Sequence, residues 1–222
     1  MTFFARVRRF LWKSFLWFNI ISVVMVIVYR FVPIPYTLTM LSRNISTGKA
    51  NAYTWKSYDE ISPNVPLAMV ASEDQLFPTH HGFDFKQMKK AMEKNEKSGK
   101  IRRGGSTISQ QVAKNVFLWQ HQSYFRKGLE AYYTVLIELF WSKKRILEVY
   151  MNVCETGINT FGVEEGAKRY YGKSAKDLTQ REAAEIATVL PNPQKRDVGD
   201  GKTGHVLKNM RNLGSNYLKS IE

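Results

Sequence analysis

The chain opens on an apolar block. Positions 14–32 read Ser-Phe-Leu-Trp-Phe-Asn-Ile-Ile-Ser-Val-Val-Met-Val-Ile-Val-Tyr-Arg-Phe-Val, close to the roughly 20 residues that a membrane-spanning helix needs. Asn19 and Arg30 are its strongly polar members, and Arg30 lies near the end, where its side chain can reach the aqueous interface. Arg6, Arg8, Arg9 and Lys13 precede the block. The positive-inside bias therefore predicts a cytoplasmic basic N-terminus over 1–13, a span over 14–32 and everything later across the membrane. Trp12, Trp17 and Tyr29 fall near the two ends, where such rings favour the interface. A cleaved signal peptide would need small residues at its end, whereas Tyr29-Arg30-Phe31-Val32-Pro33 follows here, so a retained anchor is expected.

Pro33, Pro35 and the polar run 42–56 predict a connector over 33–60, and a single domain over 61–222 is expected beyond it. From there the hydrophobic spacing is helical almost everywhere. Asn64 is a candidate cap with Pro66 near the start of the first helix, and Asp84 a candidate cap for a second with Phe85, Met88 and Met92 on one side. Thr107 and Gln110 stand at capping-box spacing before Ile108, Val112 and Val116, as do Thr179 and Glu182 before the apolar run 183–190. Between them, 126–141 predicts a long helix with Leu129, Tyr133, Leu136, Ile137 and Phe140 inward, and Ile146, Leu147, Val149 and Tyr150 mark the next. Gly172 is placed to end a helix, Pro191 and Pro193 to stop another, and Val206, Leu207, Met210, Leu213 and Tyr217 mark the last. Sustained period-two alternation is missing, so the fold class is mainly α.

Composition changes this picture little. The 222 residues suffice for one sizeable core, and Cys154 as the sole cysteine rules out an intramolecular disulfide. The formal net charge is +14, of which five positive charges flank the apolar block. The remaining basic excess suits an anionic bilayer surface or a phosphate-bearing substrate as well as nucleic acid, and charge alone does not choose.

Candidate chemistry falls into clusters. Glu73 and Asp74 end an apolar helix, where the dipole opposes negative charge; partial burial and that dipole would both raise a carboxylate's pKa toward the range of a general base. Loop acids paired with nearby cations are the reading that these two residues, taken alone, favour. His80, His81 and Asp84 complete no metal-site spacing, and structural hydrogen bonding suits them better. The run Arg102-Arg103-Gly104-Gly105-Ser106-Thr107 leads from a basic glycine loop into a helix, whose free amides could bind an anion such as a diphosphate. Gln110, Gln111 and Lys114 share a face of that helix; an ordinary capped, solvated helix has the same pattern. Arg126 and Glu130, four apart, read either as a surface ion pair or as part of a site with a second carboxylate. Phe117, Leu118, Trp119, Tyr124 and Phe125 between these clusters read first as core, with the bilayer as the alternative.

In order and spacing, these clusters resemble the glycosyltransferase family that polymerises peptidoglycan, found as monofunctional enzymes and as one domain of bifunctional penicillin-binding proteins. Glu73, Asp74, Phe77, His80 and Gly82 match its Glu-Asp-x-x-Phe-x-x-His-x-Gly motif. The run from Gly104 and Gly105 through Ser106, Thr107, Gln110, Gln111 and Lys114 to Asn115 matches Gly-Gly-Ser-Thr-Ile-(Thr/Ser)-Gln-Gln-x-x-Lys-Asn. Arg126, Lys127 and Glu130 match Arg-Lys-x-x-Glu; Lys143, Ile146, Leu147, Tyr150 and Asn152 match Lys-x-x-Ile-Leu-x-x-Tyr-(Leu/Met)-Asn; Arg169-Tyr170-Tyr171-Gly172-Lys173 resembles a last motif. Relatives often carry a diphosphate-holding arginine between the second and third motifs, but Trp119-Gln120-His121-Gln122-Ser123 has none.

The resemblance implies a lysozyme-like glycosyltransferase domain with a small membrane-associated subdomain after one transmembrane helix, of the monofunctional biosynthetic branch. It implies lipid II and the growing lipid-linked glycan as substrates, bound at the bacterial inner membrane with the catalytic domain periplasmic. Glu73 is then the base and Glu130 a second catalytic carboxylate. Lys114, Ser106, Thr107, Gln110, Gln111, Asn115, Arg126, Lys127 and Asn152 bind substrate, while Asp74, Phe77, His80, Gly82, Gly104 and Gly105 shape the site. A divalent metal such as Mg is an open accessory; other cell-wall synthesis and division proteins are the expected protein partners, and nucleic acid is not. A lysozyme-like lytic glycosidase and a non-catalytic membrane scaffold are the competing functions.

Overall fold

Nothing in the first thirteen residues breaks a helix, since proline and glycine are both missing there, and α1 (Phe3–Phe31) accordingly begins well before the apolar block. In this computed structural model, which describes residues 2–98, 105–121, 123–199 and 201–221, α1 is long and apolar enough to cross a membrane. Most of its side chains are exposed, and Ser22 and Val26 are its buried residues.

The stretch 33–60, expected as a connector, is built into the fold. Thr37 accepts the Met40 N–H at 3.2 Å and caps α2 (Leu38–Thr47), which Gly48 ends in the left-handed conformation at φ 66°. A short strand, β1 (Ala52–Tyr53), follows. The helix α3 (Asn64–Glu73) begins at the residue expected as its cap; the Ser62 hydroxyl instead meets the Asn64 N–H, at 3.4 Å. Its residues Val65, Pro66, Leu67, Ala68, Met69, Val70 and Ala71 are all buried, as befits a helix apolar all round.

Asp84 accepts the Gln87 N–H at 2.8 Å to start α4 (Phe85–Ser98). Phe85 and Met92 on that helix are exposed, so the apolar side expected there does not face the core. Both halves of the Thr107 and Gln110 capping box form at the start of α5 (Ile108–Phe117). Serine caps follow at Ser123 for α6 (Tyr124–Phe140) and at Ser142 for α7 (Lys143–Val153). Then come β2 (Glu155–Gly157), β3 (Thr160–Phe161) and α8 (Gly162–Tyr171), the last ended by Gly172 at φ 66°. The Thr179 and Glu182 box opens α9 (Gln180–Val189), and α10 (Thr203–Leu213) completes the fold.

The class is mainly α. The sheet has strand order β1-β3-β2, with Ala52 opposite Thr160 and Tyr53 opposite Phe161 in parallel, and Glu155 opposite Phe161 antiparallel. Around α3 pack α9 and α10, while α5 packs on α6 and α7. Tyr133 and Ile137 of α6 face inward as expected, but so do Arg126, Glu130 and Thr134. Of the aromatic linker, Phe117 and Leu118 are core, whereas Trp119, Tyr124 and Phe125 are exposed.

Gly82 ties the stretch after α3 to the cap of α5. It sits at φ 85°, its N–H meets His80 Nδ1 at 3.1 Å, and its carbonyl accepts the Thr107 hydroxyl at 2.7 Å. A Cβ there would lie 2.7 Å from Thr134 Cγ2. Gly82→Ala combines a left-handed backbone with overpacking and is expected to destabilise by about 3 kcal/mol. Thermal unfolding checks this, and a melting temperature equal to wild type would contradict it.

Candidate active site

The end of α3 meets the start of α5 through one buried carboxylate. Asp74 accepts the Ile108 N–H at 2.9 Å and lies 2.9 and 3.0 Å from His80 Nε2. Because His80 Nδ1 takes the Gly82 N–H, its Nε2 carries the proton and donates to Asp74. Phe77, fully buried, sets its ring edge-on to His80 and under the Lys143 ammonium, 4.6 Å from the ring centre. The acid, histidine and glycine of the first motif thus build a local frame, and His80 serves as a hydrogen-bonding residue. His81 is exposed.

That frame presents Glu73. Its carboxylate accepts Gln111 Nε2 at 3.1 Å and the Ser72 hydroxyl at 3.4 Å. Burial pushes the carboxyl above its ordinary range, and Asp74 adds to this; the two hydrogen bonds and the more distant Arg196 guanidinium pull the other way. Gln111 in turn accepts from the Tyr150 hydroxyl at 3.3 Å, so the amide that meets Glu73 is held from behind.

Beyond Gln111 opens a cavity of about 210 Å³ lined by Ser106, Gln110, Gln111, Lys114, Gln120, Arg126, Lys127 and Glu130. A smaller crevice of about 20 Å³ adjoins it at Ser106, with Glu73, Asp74, Asp84, Gln87, Gly105 and Thr107 around it. Three cations face one carboxylate in the larger cavity. Glu130 is 2% exposed and bonds Arg126 Nη1 at 2.7 Å and the Lys127 ammonium, which also reaches Ser106 at 3.3 Å. The pair is therefore buried, which removes the surface-pair reading of its spacing. Burial pushes Lys114 below its ordinary range, as do Arg126 and Lys127, while Glu130 and the more distant Glu155 oppose the shift. A lysine so placed stands ready for an anion.

A divalent cation does not fit at Glu130, since its two oxygens already meet Arg126 and Lys127. Among the described residues no group of three or more His, Cys, Asp or Glu gathers as a metal site.

Gln110 lies at the cavity and Thr107 at the crevice, but the Thr107 hydroxyl is engaged with Gly82 and the Gln110 N–H, and Gln110 Oε1 accepts the Thr107 N–H at 3.0 Å. Asn115 stands just behind the wall, 3.5 Å from Gln120 Nε2. Asn152 is not brought to the cavity: its buried amide bonds the Lys56 N–H and carbonyl, each at 2.8 Å, and fastens the stretch before α3 to α7. Gly105 packs against α4, where a Cβ would lie 3.2 Å from Met88 Cα. Gly104, with Arg102, Arg103 and Gln122, lies outside the described residues.

Sequence reasoning passed over three contributors. Gln120 enters the wall from the stretch noted for lacking an arginine, while His121 is exposed. Arg196 acts on Glu73 from beyond α9. Glu155, paired with Arg43 Nη2 at 2.8 Å, acts on Lys114 from β2. Only the first carried a signal, as a polar residue where a ligand-holding one was looked for.

A helical domain that sets a raised-pKa carboxylate beside a cationic cavity suits transfer of a group from an anionic leaving group to a hydroxyl. The transglycosylase family model matches residues 40–213, and the chain belongs to this family of glycosyltransferases. It is 51% identical over 193 residues to the biosynthetic peptidoglycan transglycosylase of Caulobacter vibrioides, covering 86% of this chain and 82% of that one. Similar proteins of the same description occur in Haemophilus influenzae, at 47% identity over 89% of this chain and 85% of the relative, and in Pseudomonas fluorescens, at 45% over 96% and 93%.

The raised Glu73 carboxyl has a consequence for stability. A native state that holds the proton more tightly than the unfolded chain loses stability as pH rises from the ordinary carboxylate range through the raised value. Glu73→Gln is therefore expected to melt higher than wild type near about pH 8, with the difference closing toward about pH 4. Melting curves of both proteins across that range test the sign.

Proposed function

We propose that this enzyme polymerises peptidoglycan glycan strands from lipid II, anchored by α1 in the bacterial inner membrane with its N-terminus cytoplasmic and its catalytic domain periplasmic. The observation that carries the reading is the link through Gln111: one helix, α5, both bonds the Glu73 carboxylate and lines the cationic cavity with Lys114.

In this scheme Glu73 takes the proton from the 4-hydroxyl of the acceptor GlcNAc, and that oxygen attacks C1 of the donor MurNAc. The C1–O bond to the diphosphate breaks, a β-1,4 bond forms with inversion, and undecaprenyl diphosphate leaves. The larger cavity takes the diphosphate. Lys114, short of anionic partners and pushed toward neutrality by burial, gains most when negative charge develops on the leaving oxygen. Lys127 and Arg126 hold the remaining phosphate oxygens, with Ser106 and Gln110 as neutral donors in the wall. Glu130 orients the two cations rather than moving a proton.

Lipid II with a labelled sugar, incubated with the enzyme in detergent, tests this directly. Glu73→Gln is expected to abolish polymer formation while remaining folded, and Lys114→Gln to lower kcat by about a hundredfold or more. Glycan shortening in place of polymer from wild type would replace the reading with a lytic one. Because burial lifts the Glu73 carboxyl, kcat of wild type is expected to climb with pH above the ordinary carboxylate range. A rate flat from about pH 4 upward would remove Glu73 as the base.

A further inference from the structure

Two pockets meet at Ser106, and their charges are opposite. The larger holds Lys114, Arg126 and Lys127 against one acid, Glu130. The crevice has three carboxylates round it, those of Glu73, Asp74 and Asp84, and no basic residue among the described ones that line it. A diphosphate that the first attracts, the second repels. What enters the crevice is therefore an uncharged group that donates hydrogen bonds, since an ionised carboxylate only accepts them. Size narrows this further. A space of about 20 Å³ is little more than one water molecule needs, so a hydroxyl or hydroxymethyl group fits and a sugar ring does not.

The three carboxylates are unequally engaged. Asp74 spends both oxygens on His80 Nε2 and the Ile108 N–H. Glu73 meets Gln111 and Ser72, and in the scheme above it has the substrate proton to take. Asp84 differs from both. It is 6% exposed and its Oδ1 accepts the Gln87 N–H at 2.8 Å, but its Oδ2, also buried, has no hydrogen-bond partner among the described residues. A carboxylate oxygen shut away from water is costly unless a donor meets it.

The direction of that oxygen is fixed in advance. The Oδ1 bond holds the side chain at the start of α4, and the Asp84 carbonyl accepts the Met88 N–H at 2.9 Å. The flanking Phe83 and Phe85 stack on each other with ring centres 5.9 Å apart. Capping α4 uses one carboxylate oxygen, so the cap accounts for Oδ1 and leaves Oδ2 to a ligand.

We propose that Asp84 binds the acceptor: its Oδ2 accepts a hydrogen bond from a hydroxyl of the acceptor sugar that neighbours the 4-hydroxyl at Glu73. On GlcNAc those neighbours are the 3-hydroxyl and the 6-hydroxyl. Two bonds then hold the acceptor, one to the base and one to Asp84, and they align the attacking oxygen with a donor whose diphosphate lies beyond Ser106. The inference rests on the lipid II-polymerising reading above, and deepens it by giving the acceptor sugar a contact of its own.

The test uses the full chain in detergent. Asp84→Asn keeps an oxygen for the cap and puts an amide where Oδ2 stands. Asp84→Ser, which caps α4 through its hydroxyl and removes Oδ2 outright, serves where the amide variant folds poorly. A labelled lipid II with hydrogen in place of the GlcNAc 4-hydroxyl acts only as donor, so its coupling is read against the concentration of ordinary lipid II as acceptor. In Asp84→Asn the KM for acceptor is expected to rise about tenfold, and the KM for donor to stay within about twofold of wild type. Acceptors lacking the 3- or the 6-hydroxyl identify the group: the one that Asp84 holds costs wild type about tenfold and costs Asp84→Asn nothing further. An unchanged acceptor KM, or losses that multiply for both deoxy acceptors, overturns the assignment. So does an equal rise of both KM values with a lowered melting temperature, which marks a cap alone. Binding of the soluble GlcNAc-MurNAc disaccharide, read by saturation-transfer NMR, needs no turnover and is expected to weaken in Asp84→Asn. No difference between the two proteins there overturns the assignment as well. A wild type that makes no polymer while the binding difference persists counts against the polymerase reading and not against Asp84.

Discussion

The Asp74 carboxylate is the constraint on which the site depends. It is 2% exposed, and buried so deeply it is tolerable only because Ile108 N–H and His80 Nε2 point at it. Those bonds tie the C-terminal end of one helix to the N-terminal end of another. The unfavourable dipole at the end of α3 is met by the favourable one at the start of α5, since the free amide that donates to Asp74 belongs to the first residue of α5. Glu73, one residue earlier, is met by side chains instead, the Gln111 amide and the Ser72 hydroxyl. Two adjacent acids are thereby given opposite circumstances: one is fixed by the backbone, the other is held loosely enough to exchange a proton.

Burial acts on both sides of Gln111 with opposite sign. It lifts the Glu73 carboxyl and lowers the Lys114 ammonium, each toward neutrality. Both groups then hold their charge at a cost that a substrate can relieve: a hydroxyl proton at Glu73, a phosphate oxygen at Lys114. Gln111 can stand between them because an amide is uncharged; its donor is used on Glu73 and its acceptor by Tyr150. An acid or base there would have biased one pKa at the expense of the other.

Local chemistry was legible in the sequence wherever the partner lies within a turn. Both capping boxes form as spaced, Gly172 ends its helix, and Glu73 does close an apolar helix. What depends on distant partners was not. A spacing of four fits a solvated or a buried pair, and only the packing of α5 on α6 makes Arg126 and Glu130 buried. Thr39 reaches across to the Asn115 carbonyl at 3.4 Å and Asn152 clasps Lys56, so the proline-flanked, polar stretch before α3 is structured by contacts its own pattern does not contain. Phe85 and Met92 erred in the other direction, an apolar helix face that the core does not claim. The docking of Asn19 on Tyr132 was hidden for the same reason, since a lone asparagine in an apolar block does not name its partner.

Glu130 shows how charge balance divides labour between two carboxylates. Surrounded by Arg126 and Lys127, with Lys114 across the cavity, it is the one anion among three cations in the wall. Had it been absent, the three cations would repel one another, and Lys114 would be driven further toward neutrality, since Glu130 is the strongest influence holding its charge. Had there been a second acid, the cavity would lose the positive excess that draws a diphosphate. One carboxylate clasped by two cations leaves the wall at a net +2, with Arg126 and Lys127 fixed in position before any anion arrives. Preorganisation of that kind occupies both oxygens of the acid with cations, whereas a general base needs an oxygen that can take a substrate proton. The two carboxylates therefore could not exchange places, and the side of the cleft on which each lies follows from the charges that surround it.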